Sequence, residues 1–205
     1  MELLDFYLPV FKLVLQMTGE PNKFGDYDET RQTCIVLLEQ AINNAGQLEV
    51  SEEEKEAACI AVITWLDETI LRSSLPWCQR WQSELLQRKY LNFTVGGERF
   101  FTQLTQLSPS QKQARIVFLF CLQNGFRGQY TTPNDLDALQ TLIVEQRSLC
   151  LPEICQIWPN DAPITSSICV SRATILHPLR HLFFMAVGVS LLYGLFFYFL
   201  YYYVS

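Results

Sequence analysis

Val62-Ile-Thr-Trp-Leu-Asp-Glu-Thr-Ile-Leu71 sets two acidic residues inside an apolar run. A helix advances about 100° per residue, so the direction of each side chain can be read from its position. With Ile63 at the origin, Cys59, Ile60, Leu66, Ile70 and Leu71 form one apolar arc. Asp67 falls about 40° from its centre, inside the arc. Glu68 falls at about 140°, with Ala57 and Ala61, on the side expected to be wet. The two carboxylates diverge by a full helical step. They are poorly placed to share one reacting bond, so an acid/base pair is disfavoured. A buried carboxylate needs partners, because an unpaired one is costly. For Asp67 these are backbone N–H groups at a turn, an indole N–H or an arginine. The turn Asn124-Gly-Phe-Arg-Gly-Gln-Tyr130, with Arg127 inside it, offers such groups. Glu68 is expected to be a solvated or rim residue.

Outward from this run the chain reads as helix after helix. Leu3 to Met17 is apolar and periodic, and Thr18 to Gly25 reads as a loop from its Gly and Pro content. Asp28 to Ala45 is helical in pattern, with Gly46 as its stop. Ser51 followed by Glu52, Glu53 and Glu54 predicts a capping box opening the helix that carries Asp67. Pro76 permits a fresh start through Trp77 and Trp81 to Tyr90. Gly96-Gly97 precedes a segment from Glu98 to Leu107. Ser108-Pro109 caps a helix running to about Gln123. Pro133 to about Leu149 is another. No stretch has sustained strand alternation, so the fold class is all-α.

The last part of the 205-residue chain differs. Leu182 to Val204 contains no charged residue. At helical rise this spans about 34 Å, enough to cross a bilayer core. Arg172, His177, Arg180 and His181 precede it and only Ser205 follows, so the positive-inside rule places the body in the cytoplasm. Tyr201-Tyr202-Tyr203 suits the far interface. Ala186, Ser190 and Gly194 recur every fourth residue and offer a small-residue packing face within the span. The expected organisation is a helical domain at 1–151, a Pro/Ser/Thr-rich linker at 152–177 and an anchor at 178–205. The acidic start Met1-Glu-Leu-Leu-Asp5 is unlike a secretory signal.

Several functions are disfavoured by residue type. Both histidines lie beside the span, leaving none for a soluble catalytic triad. Gly96-Gly97-Glu98-Arg99-Phe100 lacks the pattern of a phosphate-binding loop. The seven cysteines, at 34, 59, 78, 121, 150, 155 and 169, form no CxxC and read as reduced thiols. A net charge of −6 argues against nucleic acid as a partner. No cofactor or metal is expected. The surviving readings are a structural membrane-complex subunit and a generic tail-anchored adaptor, with an enzyme on a tail anchor least supported.

An ordered set of short motifs narrows this. Leu66-Asp67-Glu68, Trp81 with Leu85-Leu86, Gly96-Gly97-Glu98 with Phe100-Phe101, and Gly125-Phe126-x-Gly128-x-Tyr130 follow one another ahead of the apolar tail. In this the chain resembles the DotU/TssL (IcmH) family, inner-membrane components of type VI and type IVB secretion systems. Arg127 and Gln129 depart from the acidic-then-basic pair expected in the Gly-Phe-x-Gly-x-Tyr turn. The resemblance implies a cytoplasmic, hook-like pair of small helical bundles with a cleft between them, and no enzyme activity. It implies a large IcmF/TssM-like inner-membrane partner, an outer-membrane lipoprotein reached through the complex, baseplate components, and self-association. Some relatives carry a peptidoglycan-binding domain after the span. With the chain ending at Ser205, no grip on the cell wall is expected from it. The motif residues Asp67, Glu68, Trp81, Gly97, Phe101, Gly125, Phe126, Gly128 and Tyr130 are expected to build the structural framework.

Overall fold

The structure is a computed structural model and describes residues 1–93, 95–132 and 135–151. These lie in one compact unit. Eight α-helices are found among the described residues. They are α1 (Leu3–Gly19), α2 (Tyr27–Gly46), α3 (Glu52–Leu71), α4 (Cys78–Ser83), α5 (Leu86–Leu91), α6 (Gly96–Gln106), α7 (Lys112–Gln123) and α8 (Asp135–Cys150). A 3₁₀ turn, Pro21–Lys23, joins the first two.

Helix α3 is the centre. It packs against α1, α2, α4, α5, α6 and α7. Its buried residues run from Glu54 through Ala57, Ala58, Ile60, Ala61 and every position from Val62 to Asp67. The expectation of a wet side is therefore corrected: Ala57 and Ala61 are buried at 2% and 0% exposure. Small side chains on that side admit neighbouring helices at close range, and a helix buried all round needs no polar face. Only the first turn, with Glu52, Glu53 and Glu56, stays wet.

Among the described residues the core carries three aromatic groups, one of them Tyr27, Trp77 and Trp81. Phe11 of α1 packs on Trp65 of α3 and Phe120 of α7. Phe100, Phe101, Phe118, Phe126 and Tyr130 form the third, with centroid separations from 4.1 Å for Phe100–Phe126 to 5.9 Å for Phe101–Phe126. This third group ties the motif at 100–101 to the turn at 125–130.

Two helix starts differ from expectation. The segment from Trp77 to Tyr90 is broken at Glu84 and Leu85 into α4 and α5. Helix α7 begins at Lys112 rather than beside Pro109; Gln111 Oε1 accepts from Ser108 N–H, so its N-cap residue makes no side-chain bond to the helix itself. No helix among the described residues is long and apolar enough to cross a membrane. The linker, the apolar span with Ala186, Ser190 and Gly194, and Cys155 and Cys169 lie outside the described residues.

Candidate functional site: three carboxylates on α3 and the cleft beside them

Asp67 is 0% exposed. Its Oδ1 accepts from Trp81 Nε1 at 2.8 Å and from Leu86 N at 3.1 Å. Its Oδ2 accepts from Gln87 N at 2.9 Å. Leu86 and Gln87 are the first residues of α5, whose own N-cap supplies no side-chain bond. Asp67 thus replaces the cap from another helix, satisfying donors that a helix start leaves open. This explains the break at Glu84 and Leu85. A continuous helix would spend those N–H groups on its preceding turn. Burial pushes the Asp67 carboxyl above the ordinary carboxylate range. The Gln87, Trp81 and Leu86 donors and the Arg31 charge oppose that push.

Glu68, expected at a solvated or rim position, lies at the rim and also makes structural bonds. Its side chain is 21% exposed, and both oxygens are used. Oε1 accepts from Arg127 N at 2.9 Å and Oε2 from Gly128 N at 2.8 Å. Arg72 Nη1 donates to Oε1 at 3.2 Å and to Gly125 O at 3.0 Å. The turn offered as a partner for Asp67 therefore belongs to Glu68, and Arg127 engages through its backbone. Trp65 Nε1 adds a bond to Asn124 O at 3.2 Å.

Glu54 is the residue that sequence reasoning misplaced. Ser51 Oγ accepts from Glu54 N at 3.2 Å, as a capping box requires. The Glu54 side chain does not return the bond. It is buried at 7% exposure and accepts from Ala114 N in the first turn of α7 at 3.0 Å. Periodicity carried no signal for this: on the same helical wheel Glu54 falls at about 180°, with Ala57, Ala61 and Glu68 on the side read as wet. Three acids of α3 therefore bind the backbone of three distant segments: the starts of α7 and α5, and the turn at 125–130.

The glycines permit close contact there. Gly128 has φ +54°, and a Cβ on it would lie 2.8 Å from the Phe101 ring and 3.0 Å from Gly97 O. A Cβ on Gly97 would lie 3.0 Å from Gly128 Cα. Gly125 has φ +88° but faces open space. Gly97, Phe101, Phe126, Gly128 and Tyr130 thus meet at one junction, with Glu68 holding its edge. Trp81 sits apart with Asp67, its ring in tilted contact with Trp77 at 5.8 Å and 4.8 Å from the Arg31 guanidinium.

Beside this junction lies an open cleft of about 530 Å³, lined in part by Glu68, Arg72, Gln87, Gly96, Gly97 and Glu98. Among the described residues no cluster of His, Cys, Asp and Glu is placed to hold a metal ion. Burial pushes the Cys34 and Cys59 thiols up to about 12 and about 11, leaving them protonated and unreactive at neutral pH.

The sequence matches the family "Type VI secretion system protein DotU" over residues 2–204. The chain belongs to the DotU family. Among solved structures it is similar to the cytoplasmic domain of TssL from Acinetobacter baumannii, with TM-score 0.63 and 25% identity. That likeness covers 73% of this chain and 96% of the other. No curated protein matches the chain. As a DotU/TssL protein it is a component of a type VI secretion system, structural rather than enzymatic, and its domain resembling that of TssL is all-helical.

Proposed function

We propose that this DotU-family protein is a structural subunit of the inner-membrane complex, linking a large IcmF/TssM-like protein to cytoplasmic baseplate components. The family match over residues 2–204 carries the reading, because it takes in both the helical body and the apolar tail. In this account residues 178–205 anchor the chain in the inner membrane, 152–177 form the linker, and the body lies in the cytoplasm. The body acts as a hook of two small bundles with the cleft between them. Self-association, and contact with an outer-membrane lipoprotein through the larger partner, belong to the same reading. The α3 carboxylates support it: a subunit that transmits position between membrane and baseplate benefits from helices fixed to one another by buried polar bonds. Affinity purification of the full chain from detergent-extracted membranes, with identification of what accompanies it, is the test. Recovery of an IcmF-like membrane protein is expected. Recovery of the chain alone from cells producing the whole secretion system would contradict it.

A further inference from the structure

Gln87, the second residue of α5, is 7% exposed and lines the cleft. Asp67 holds its backbone N–H, which fixes where the side chain starts. The side-chain amide has no partner: Oε1 is buried without a hydrogen bond, and Nε2 makes none but is not sealed. Oε1 lies against Gly96, another cleft residue, where a Cβ would collide with it. A buried carbonyl without a donor is rare, because it gives up water for nothing. The last torsion of a glutamine is broad, so the carbonyl can turn toward a donor that enters on the open side of the amide. The unmet need at this wall is a hydrogen-bond donor.

The charges on the walls favour the same kind of group. Glu68, Arg72 and Glu98 are the charged residues lining the cleft. Arg72 is already bonded to Glu68 and to Gly125 O. Glu98 is exposed, and no cation among the described residues is bonded to it. The start of α6 adds a partial positive charge of about half a unit, less than one carboxylate. The cleft is therefore net negative. Leu71, Val95 and Phe126 supply apolar wall, and Val95 is 60% exposed. A long basic side chain matches all three features, since it lays an apolar stem along such a wall and carries its donors at a charged tip.

We infer that this cleft receives a lysine or arginine side chain from a partner polypeptide, its stem along Leu71 and Val95 and its charged end donating to the Gln87 carbonyl and to Glu98. The occupant is a basic peptide segment. Glycine at 96 leaves room for the Gln87 amide beside it. This rests on the reading of the chain as a partner-binding subunit and adds the chemistry of one contact.

The test uses the full chain in uncharged detergent micelles, labelled with nitrogen-15 glycine, so that nine glycine amides report. The probes are the blocked tripeptides acetyl-Ala-Lys-Ala-amide and acetyl-Ala-Arg-Ala-amide, with acetyl-Ala-norleucine-Ala-amide as the counterpart that keeps the stem and loses the charged donor. The Gly96 and Gly97 signals should move saturably with a basic peptide and not with the norleucine peptide, while Gly19, Gly25 and Gly46 stay still. Glu98→Gln, an exposed substitution, should weaken the basic peptide by about threefold, the size of one exposed charge pair. Gln87→Met, which removes the acceptor, should weaken it by about tenfold, the size of one hydrogen bond to a charged group. If Gln87→Met shifts the three control glycines, Glu98→Gln alone decides. No movement at Gly96 and Gly97 with either basic peptide, equal movement with the norleucine peptide, or unchanged affinity in the deciding variants would overturn the inference. The purification experiment is independent: an IcmF-like partner recovered alongside a failed titration leaves the functional reading intact.

Discussion

Asp67 and Glu68 are neighbours with separate duties, and single substitutions should separate them. Asp67→Ala leaves the Trp81 indole and two backbone N–H groups buried without an acceptor, at a cost of roughly 2–4 kcal/mol. Glu68→Ala should cost less, roughly 1–2 kcal/mol, because its donors sit nearer to water and can be partly rehydrated. Urea melts of residues 1–151 measure both. Equal midpoints would refute the ranking. Asp67 also sets a pH dependence. Its carboxyl is harder to ionise in the folded chain, so the folded state binds the proton more tightly. The stability it contributes is full below the unfolded value of about 4 and declines as pH rises through the raised folded value. Wild type should therefore lose midpoint on going from pH 4 to pH 7 relative to Asp67→Asn, which has no proton to release. Parallel pH curves would contradict this.

At the scale of elements, the two glycines of the 125–130 turn differ in what they tolerate. Gly125 needs only a positive φ, so Gly125→Ala should cost about 1–2 kcal/mol. Gly128 needs a positive φ and also touches Phe101 and Gly97, so Gly128→Val should be worse by at least about 2 kcal/mol. Thermal melts that rank them equally would remove the close-approach argument. The helices themselves were legible in the sequence: α3 starts after Ser51 and ends at Leu71 as its cap and periodicity predict. Asp67 was legible because one apolar arc surrounds it. The break before α5 was not, because its cause is a carboxylate about twenty positions upstream. The Glu54 bond to Ala114 was hidden for the same reason, at a separation of 60 residues. Glu68 was placed at a solvated or rim position and lies at the rim, but its bonds were hidden because the periodic reading says nothing of partners 59 and 60 residues downstream. The alanines at 57, 58 and 61 were the overlooked sign that this helix has neighbours on every side.

For the whole molecule, α3 works as a hub whose acids grip other helices by their backbones. Side-chain-to-backbone bonds of this kind fix relative position more tightly than apolar contact alone, which tolerates sliding. The proposed anchor raises a separate question at this scale. If Ala186, Ser190 and Gly194 form a packing face, Gly194→Ile should weaken association of the span with itself or with a larger partner, and Leu195→Ile should not. Membrane insertion should survive both, since hydrophobicity is retained. A two-hybrid assay for membrane helices on residues 178–205 reads the difference, and equal association by both variants and the parent would reduce the span to an anchor.

The hub itself is tested most directly by amide hydrogen exchange on the full chain, comparing wild type with Asp67→Asn and Glu68→Gln. Each substitution keeps the shape and turns one accepting oxygen into a donor. The account predicts that Asp67→Asn speeds exchange at Leu86 or Gln87 by about tenfold or more, a loss of about 1.4 kcal/mol, and leaves Arg127 and Gly128 unchanged. Glu68→Gln should do the reverse. Exchange that rises at the same amides in both variants, or at none of these four, would contradict it.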